Sequence, residues 1–178
     1  TLKALLKDPA CKKTFNQPAS KDTEEIEGDR AEKNRSCTFD FIPAKMILNC
    51  TDKVMPTCRV LKYRRKRWLV PKNLILRKAM HGAYVNNGYL AISHRWETPT
   101  EPDPNGNQLK AIQDYLRTNP QIKWVWYDAW CMLQDDRSSE EDKDFRDMLM
   151  NVNLLYLSAN VLILMDISYM SRFWTLLE

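Results

Sequence analysis

The pattern of apolar and polar positions changes character near Tyr89. Beyond that point, short apolar runs alternate with stripes at helical spacing. Tyr89-Leu90-Ala91-Ile92-Ser93 reads as a strand, and Pro99, Pro102, Pro104 and Asn105-Gly106 then predict a long rigid loop. Leu109, Ile112 and Leu116 recur on one face with Pro120 just beyond, so a helix is expected over 107–118. Lys123-Trp124-Val125-Trp126-Tyr127-Asp128 follows as a strand that is apolar or aromatic on both faces, which predicts a central place in a sheet. Ser138-Ser139-Glu140-Glu141 fits a capping box, with Ser138 as N-cap, opening a helix whose buried stripe would be Phe145, Met148, Leu149, Val152 and Tyr156. Val161-Leu162-Ile163-Leu164-Met165-Asp166 is continuously apolar, as in a parallel strand covered on both faces, and another helix is expected to open near Ser171. Strands alternating with amphipathic helices predict an α/β fold, a three-layer sandwich around a parallel central sheet.

The first half reads differently. Residues 1–40 are polar, with Asp22, Glu24, Glu25, Glu27, Asp29 and Glu32 set among lysines, and without a sustained period they are expected to form an arm or tether. Residues 41–88 carry short apolar runs, Met46-Ile47-Leu48 and Trp68-Leu69-Val70, punctuated by Pro43, Pro56 and Pro71, which predicts a small strand-rich N-terminal extension. Within it Arg59, Lys62, Arg64, Arg65, Lys66 and Arg67 form a basic cluster interleaved with Tyr63 and Trp68. Such a cluster either meets phosphates of nucleic acid or anionic lipid, or is the charged edge of a solvated strand or hairpin protected from aggregation.

Composition narrows the function classes. A chain of 178 residues with 44% hydrophobic residues suffices for one well-cored domain and an appendage, not two full domains. A net charge of +4 is too small to imply a nucleic-acid partner by itself. Five cysteines, without a C-x-x-C pair or Cys/His zinc spacing, read most simply as reduced thiols in the cytoplasm, and no metal site is expected. No run reaches the ~20 apolar residues of a membrane span, and no signal peptide is visible. The four glycines (Gly28, Gly82, Gly88, Gly106) form neither a G-x-G-x-x-G turn nor a P-loop, so Rossmann-type redox and NTPase readings fall away.

Candidate chemistry gathers where strands end, because ligands of open α/β sheets bind outside the carboxyl ends of the strands. Ser93, His94, Arg95 and Trp96 follow the first strand, Asp128 and Trp130 the second, and Glu178 lies in the segment after the third. Arg95 suits a pyrophosphate or a salt bridge to Asp128. His94 suits a ribose site or a structural hydrogen bond. Trp96 and Trp130 suit stacking on a base or the core. Asp128 suits an active-site acid or a loop cap. Glu178 suits a catalytic carboxylate or an ordinary surface position early in a helix. Cys131 with His94 as a thiol–base pair finds little support from two histidines in the chain.

Three segments, Tyr89-Leu90-Ala91-Ile92-Ser93-His94-Arg95-Trp96, then Trp124-Val125-Trp126-Tyr127-Asp128-Ala129-Trp130-Cys131-Met132-Leu133-Gln134-Asp135-Asp136, then Arg172-Phe173-Trp174-Thr175-Leu176-Leu177-Glu178, resemble in order the motifs of the HET (heterokaryon incompatibility) domain. That family is in turn similar to TIR domains. The resemblance covers residues 89–178 and implies a flavodoxin-like, TIR-like fold acting in cell-death or defence signalling, in many TIR domains by hydrolysing NAD. It implies NAD as a substrate with no bound cofactor, Glu178 as the catalytic carboxylate, and homo-oligomeric assembly. The same fold also serves as a non-catalytic, self-associating module. Two departures stand out. Glu97 occupies the position of the family's glycine, and the chain stops where the family's third helix begins, so the C-terminal part of the fold is expected to be missing or supplied by another segment or chain. The start at Thr1 likewise suggests that an upstream segment was removed.

Overall fold

The computed structural model describes residues 35–65, 67–98, 101–134 and 136–165. Five strands form one sheet in the order β2-β1-β4-β3-β5, with β1 Ser36–Pro43, β2 Val70–Ile75, β3 Tyr89–Ser93, β4 Trp124–Trp126 and β5 Asn160–Ile163. β4, β3 and β5 are mutually parallel, as expected from 89 onward. β1 runs antiparallel to both β2 and β4, so the sheet is mixed rather than wholly parallel.

The lead-in is part of this sheet. Cys37, Phe39 and Phe41 alternate inward and are buried, while Ser36 and Thr38 face outward, so β1 starts inside the stretch read as a polar arm. Met46-Ile47-Leu48 lies in a short helix, α1 (Ala44–Leu48), not a strand, because Ala44 and Ile47 bury at helical spacing. Further short helices are α2 (Cys58–Tyr63), α3 (Leu76–Met80) and α4 (Ala83–Asn86). The region is therefore mixed where strands were expected to dominate.

The β3–helix–β4 unit matches its pattern closely. α5 spans Asn107–Thr118 and buries Leu109, Ile112 and Leu116. β4 is the middle strand of the five, with Val125 and Trp126 buried. Gly88 sits just ahead of β3 with φ +75°, and its carbonyl accepts from the amides of Lys123 (2.8 Å) and Trp124 (3.1 Å). A Cβ there would run into the Gln121 carbonyl, so glycine lets the two chains approach and sets the β3–β4 register.

The predicted capping box is present. The Ser138 hydroxyl accepts from the Glu141 amide and the Glu141 carboxylate accepts from the Ser138 amide, opening α7 (Ser139–Met150). The stripe beyond it divides. α7 ends at Met150, Asn151 separates it from α8 (Val152–Ser158), and the burial there is carried by Leu154 and Leu155, while Leu149 is exposed. Two short helices with different inward faces thus replace one continuous stripe.

α8 packs on α3, α4 and β3, and α5 packs on α1. Leu90, Ala91 and Ile92, which point alternately to opposite faces, are all buried, so both faces of β3 are covered. β5 is shorter than expected and lies at the sheet edge, with Val161 and Ile163 exposed, so only one of its faces is covered among the described residues.

Candidate functional site

Chain order and sheet order disagree between β1 and β4 and again between β3 and β5, the second place lying among the parallel strands. From β3 the chain passes through α5 to β4 on one side, and from β4 it returns across β3 to β5 on the other. The ends of β3 and β5 are therefore a switch point, where helices on either side diverge and leave a crevice. A crevice of about 350 Å³ lies there, lined by Arg95, Glu97, Asn107, Gln108, Ile163 and Met165 among others. Its rim is tied by the Leu164 amide, which donates to the Ser93 carbonyl at 2.8 Å.

On the β4 side, α6 (Asp128–Cys131) begins at the strand end, and Asp128 gathers three donors. His94 Nε2 lies 2.7 Å from Asp128 Oδ1, Trp96 Nε1 donates to Oδ2 at 3.3 Å, and the Ala129 amide donates to Oδ1 at 2.5 Å. Burial alone would raise the Asp128 carboxyl, but the bonds and charge of His94, then Trp96 and the Ala129 amide, outweigh it and hold the group below the usual carboxylate range. An ionised carboxylate only accepts, so His94 Nε2 carries hydrogen. His94 Nδ1 is buried with no hydrogen-bond partner among the described residues, and the ring stacks on Tyr127 at 4.0 Å.

The partner of Asp128 is thus His94, not Arg95. The His94 side chain is 3% exposed and is turned to Asp128. Trp130 is core, buried and stacked on Tyr127 at 4.2 Å, whereas Trp96 is half-buried. Arg95 and Glu97 line the crevice and Trp96 faces a separate cavity, so consecutive side chains serve opposite sides of the loop.

Sequence reasoning missed Asp103 and Gln108. Asp103, 4% exposed, accepts from the amides of Gln108 (3.1 Å) and Leu109 (2.8 Å) and so satisfies the start of α5. Gln108 donates to the carbonyls of Arg95 (3.0 Å) and Pro102 (2.7 Å) and accepts from Tyr127 Oη at 2.9 Å. It fastens the loop after β3 to the strand end of β4. Burial, with the nearby Asp128, Asp103 and Glu97 carboxylates, pushes the Tyr127 phenol far up, which keeps it a donor. An acid just ahead of a helix was a legible capping signal; nothing in the spacing marked Gln108. Glu97 has no positive φ, and the turn closes through the Glu97 amide to Pro102 O (3.2 Å) and the Thr98 amide to Glu101 O (3.0 Å).

Cys131 does not face His94. Its sulfur lies 4.0 Å from the Val125 carbonyl, and complete burial raises the thiol well above its ordinary value, so it is no nucleophile. The basic cluster is not a strand: Arg59 and Lys62 lie in α2, where Cys58 and Leu61 bury one turn apart, and Arg64, Arg65 and Arg67 lie in the turn that follows it. Arg59 donates to the Asp136 carbonyl, Arg65 pairs with Asp52 at 2.7 Å and lies over Trp68, and Lys62 lies over Tyr63. Lys66 and Glu178 lie outside the described residues. Among the described residues no group of three or more His, Cys, Asp or Glu could hold a metal ion, and no helix is long and apolar enough to cross a membrane.

Comparison with protein-family models, with curated proteins and with solved structures found no match to this chain.

Proposed function

We propose that the chain is a HET/TIR-like domain of flavodoxin-like type, acting in defence or cell-death signalling, that hydrolyses NAD at the nicotinamide–ribose bond. One observation carries this reading. Parts of two of the resembling segments, Ser93 to Trp96 and Asp128 to Trp130, meet at one rim of the sheet, and Met165, seven residues ahead of the third in the sequence, lines the crevice beside Arg95. Switch-point crevices at strand carboxyl ends are where such folds take nucleotides. Arg95 would face the pyrophosphate. The reaction needs little acid catalysis, because nicotinamide leaves a pyridinium as a neutral molecule. A single carboxylate, assigned by the resemblance to Glu178, would orient the ribose hydroxyls and stabilise the oxocarbenium-like transition state. Incubation of the protein with NAD should release nicotinamide, and Glu178→Gln should abolish release; equal release by both removes Glu178 from the mechanism.

A second reading, a non-catalytic self-associating module, is favoured by the apolar side chains Leu157, Val161, Ile163 and Met165, which are 43–72% exposed on and beside the edge strand β5. It predicts concentration-dependent oligomers by light scattering and no turnover of NAD.

A further inference from the structure

The second cavity of the rim is physically separate from the Arg95 crevice. It also encloses about 350 Å³, within the range of small-ligand sites, and shares no lining residue with the crevice. Trp96 and Trp130 form part of its wall, with Met55, Glu101, Asp103 and Gln134.

The charge of this wall is one-sided. Among the described residues that line it none is Lys, Arg or His, while Glu101 and Asp103 are acidic. The two oxygens of Asp103 are held by amides at the start of α5, but Glu101 is exposed. The Trp96 Nε1 hydrogen points at the Asp128 carboxylate, which pushes electron density into the indole and strengthens the attraction of its face for a cation. A phosphate would meet the wrong sign here. The Arg95 crevice has a guanidinium where this cavity has carboxylates.

We propose that this cavity binds a small, weakly hydrated organic cation of the N-alkylpyridinium class, the half-buried Trp96 indole taking the ring, the buried Trp130 backing the wall and Glu101 balancing the charge. Among the described residues the site shares none with the Arg95 crevice, so its occupancy is read separately from NAD cleavage. Strongly hydrated ammonium ions fit it less well, because much of the wall is apolar and offers few acceptors.

The test is a titration of the protein with 1-methylpyridinium, followed through the indole N–H resonances of Trp96 and Trp130. 4-Methylpyridine at pH 8, an uncharged molecule of the same shape, is the control. The cation should shift both resonances saturably and bind at least about tenfold more tightly than the control. Glu101→Gln, which keeps the backbone bonds of Glu101 to Thr98 and changes only an exposed side chain, should weaken the cation about threefold to tenfold and leave the control unchanged. Absence of saturable shifts up to roughly 10 mM, equal affinity for both molecules, or no effect of Glu101→Gln would each overturn the assignment.

Discussion

Replacing Asp128 by Asn keeps the side-chain shape and removes the charge on which the rim converges. In the protein Asp128 Oδ1 faces His94 Nε2 and the Ala129 amide, and Oδ2 accepts from Trp96 Nε1. An amide can answer the first two through its oxygen, but its NH₂ then meets the Trp96 N–H as donor against donor. A bond to a charged acceptor contributes about 1.5–3 kcal/mol, and because 33% of the Asp128 side chain is exposed, solvent screening leaves about 1–2 kcal/mol to lose. The pH dependence follows from the depressed carboxyl. Its contribution is fully present above the unfolded value of about 3.9 and disappears as pH falls through the lower folded value. Urea unfolding of wild type and Asp128→Asn at pH 7 and pH 3 should therefore show a lower midpoint for the variant at pH 7, an unchanged slope, and a smaller gap at pH 3. A variant within about 0.3 kcal/mol of wild type at pH 7, or a gap that does not shrink in acid, refutes the account of Asp128 as the anchor.

Gly106→Ala should destabilise by about 2–4 kcal/mol in the same assay, because φ is +76° and a Cβ would run into the Lys53 carbonyl. Ser138→Ala should cost about 1 kcal/mol, since it removes one half of the capping box of α7. Cys131, 1% exposed and with its thiol raised by burial, should resist iodoacetamide at pH 8 in the folded protein and react once urea unfolds it; rapid native labelling would contradict its placement.

The sequence made the β3–α5–β4 unit legible because its signals agree. The stripe Leu109, Ile112 and Leu116 has one period, Gly106 and Pro120 bracket it, and β4 is apolar on both faces. The capping box was equally readable, since both members lie within four residues. What escaped was non-local. β1 alternates clearly from Cys37 to Phe41, but its hydrogen bonds go to β2 and β4, tens of residues away, so its place beside β4 was not written in its own pattern. The break between α7 and α8 arises from packing of α8 on α3 and α4, which no period announces. The structure brings His94, Trp96 and Asp128 together at the strand ends, while the pairing of His94 rather than Arg95 with Asp128 depended on three-dimensional reach. Gln108 became visible only once Tyr127 and the Arg95 carbonyl were seen on either side of it.

The claim on which the rest depends is that nucleotide enters at the carboxyl ends of β3 and β5. Hydrogen–deuterium exchange of the protein with and without NAD tests it directly. The account predicts slowed exchange in residues 93–98 and 107–111, which border the crevice of Arg95, Asn107 and Gln108. Unchanged exchange there at saturating NAD, or protection confined to the basic helix α2, would contradict it.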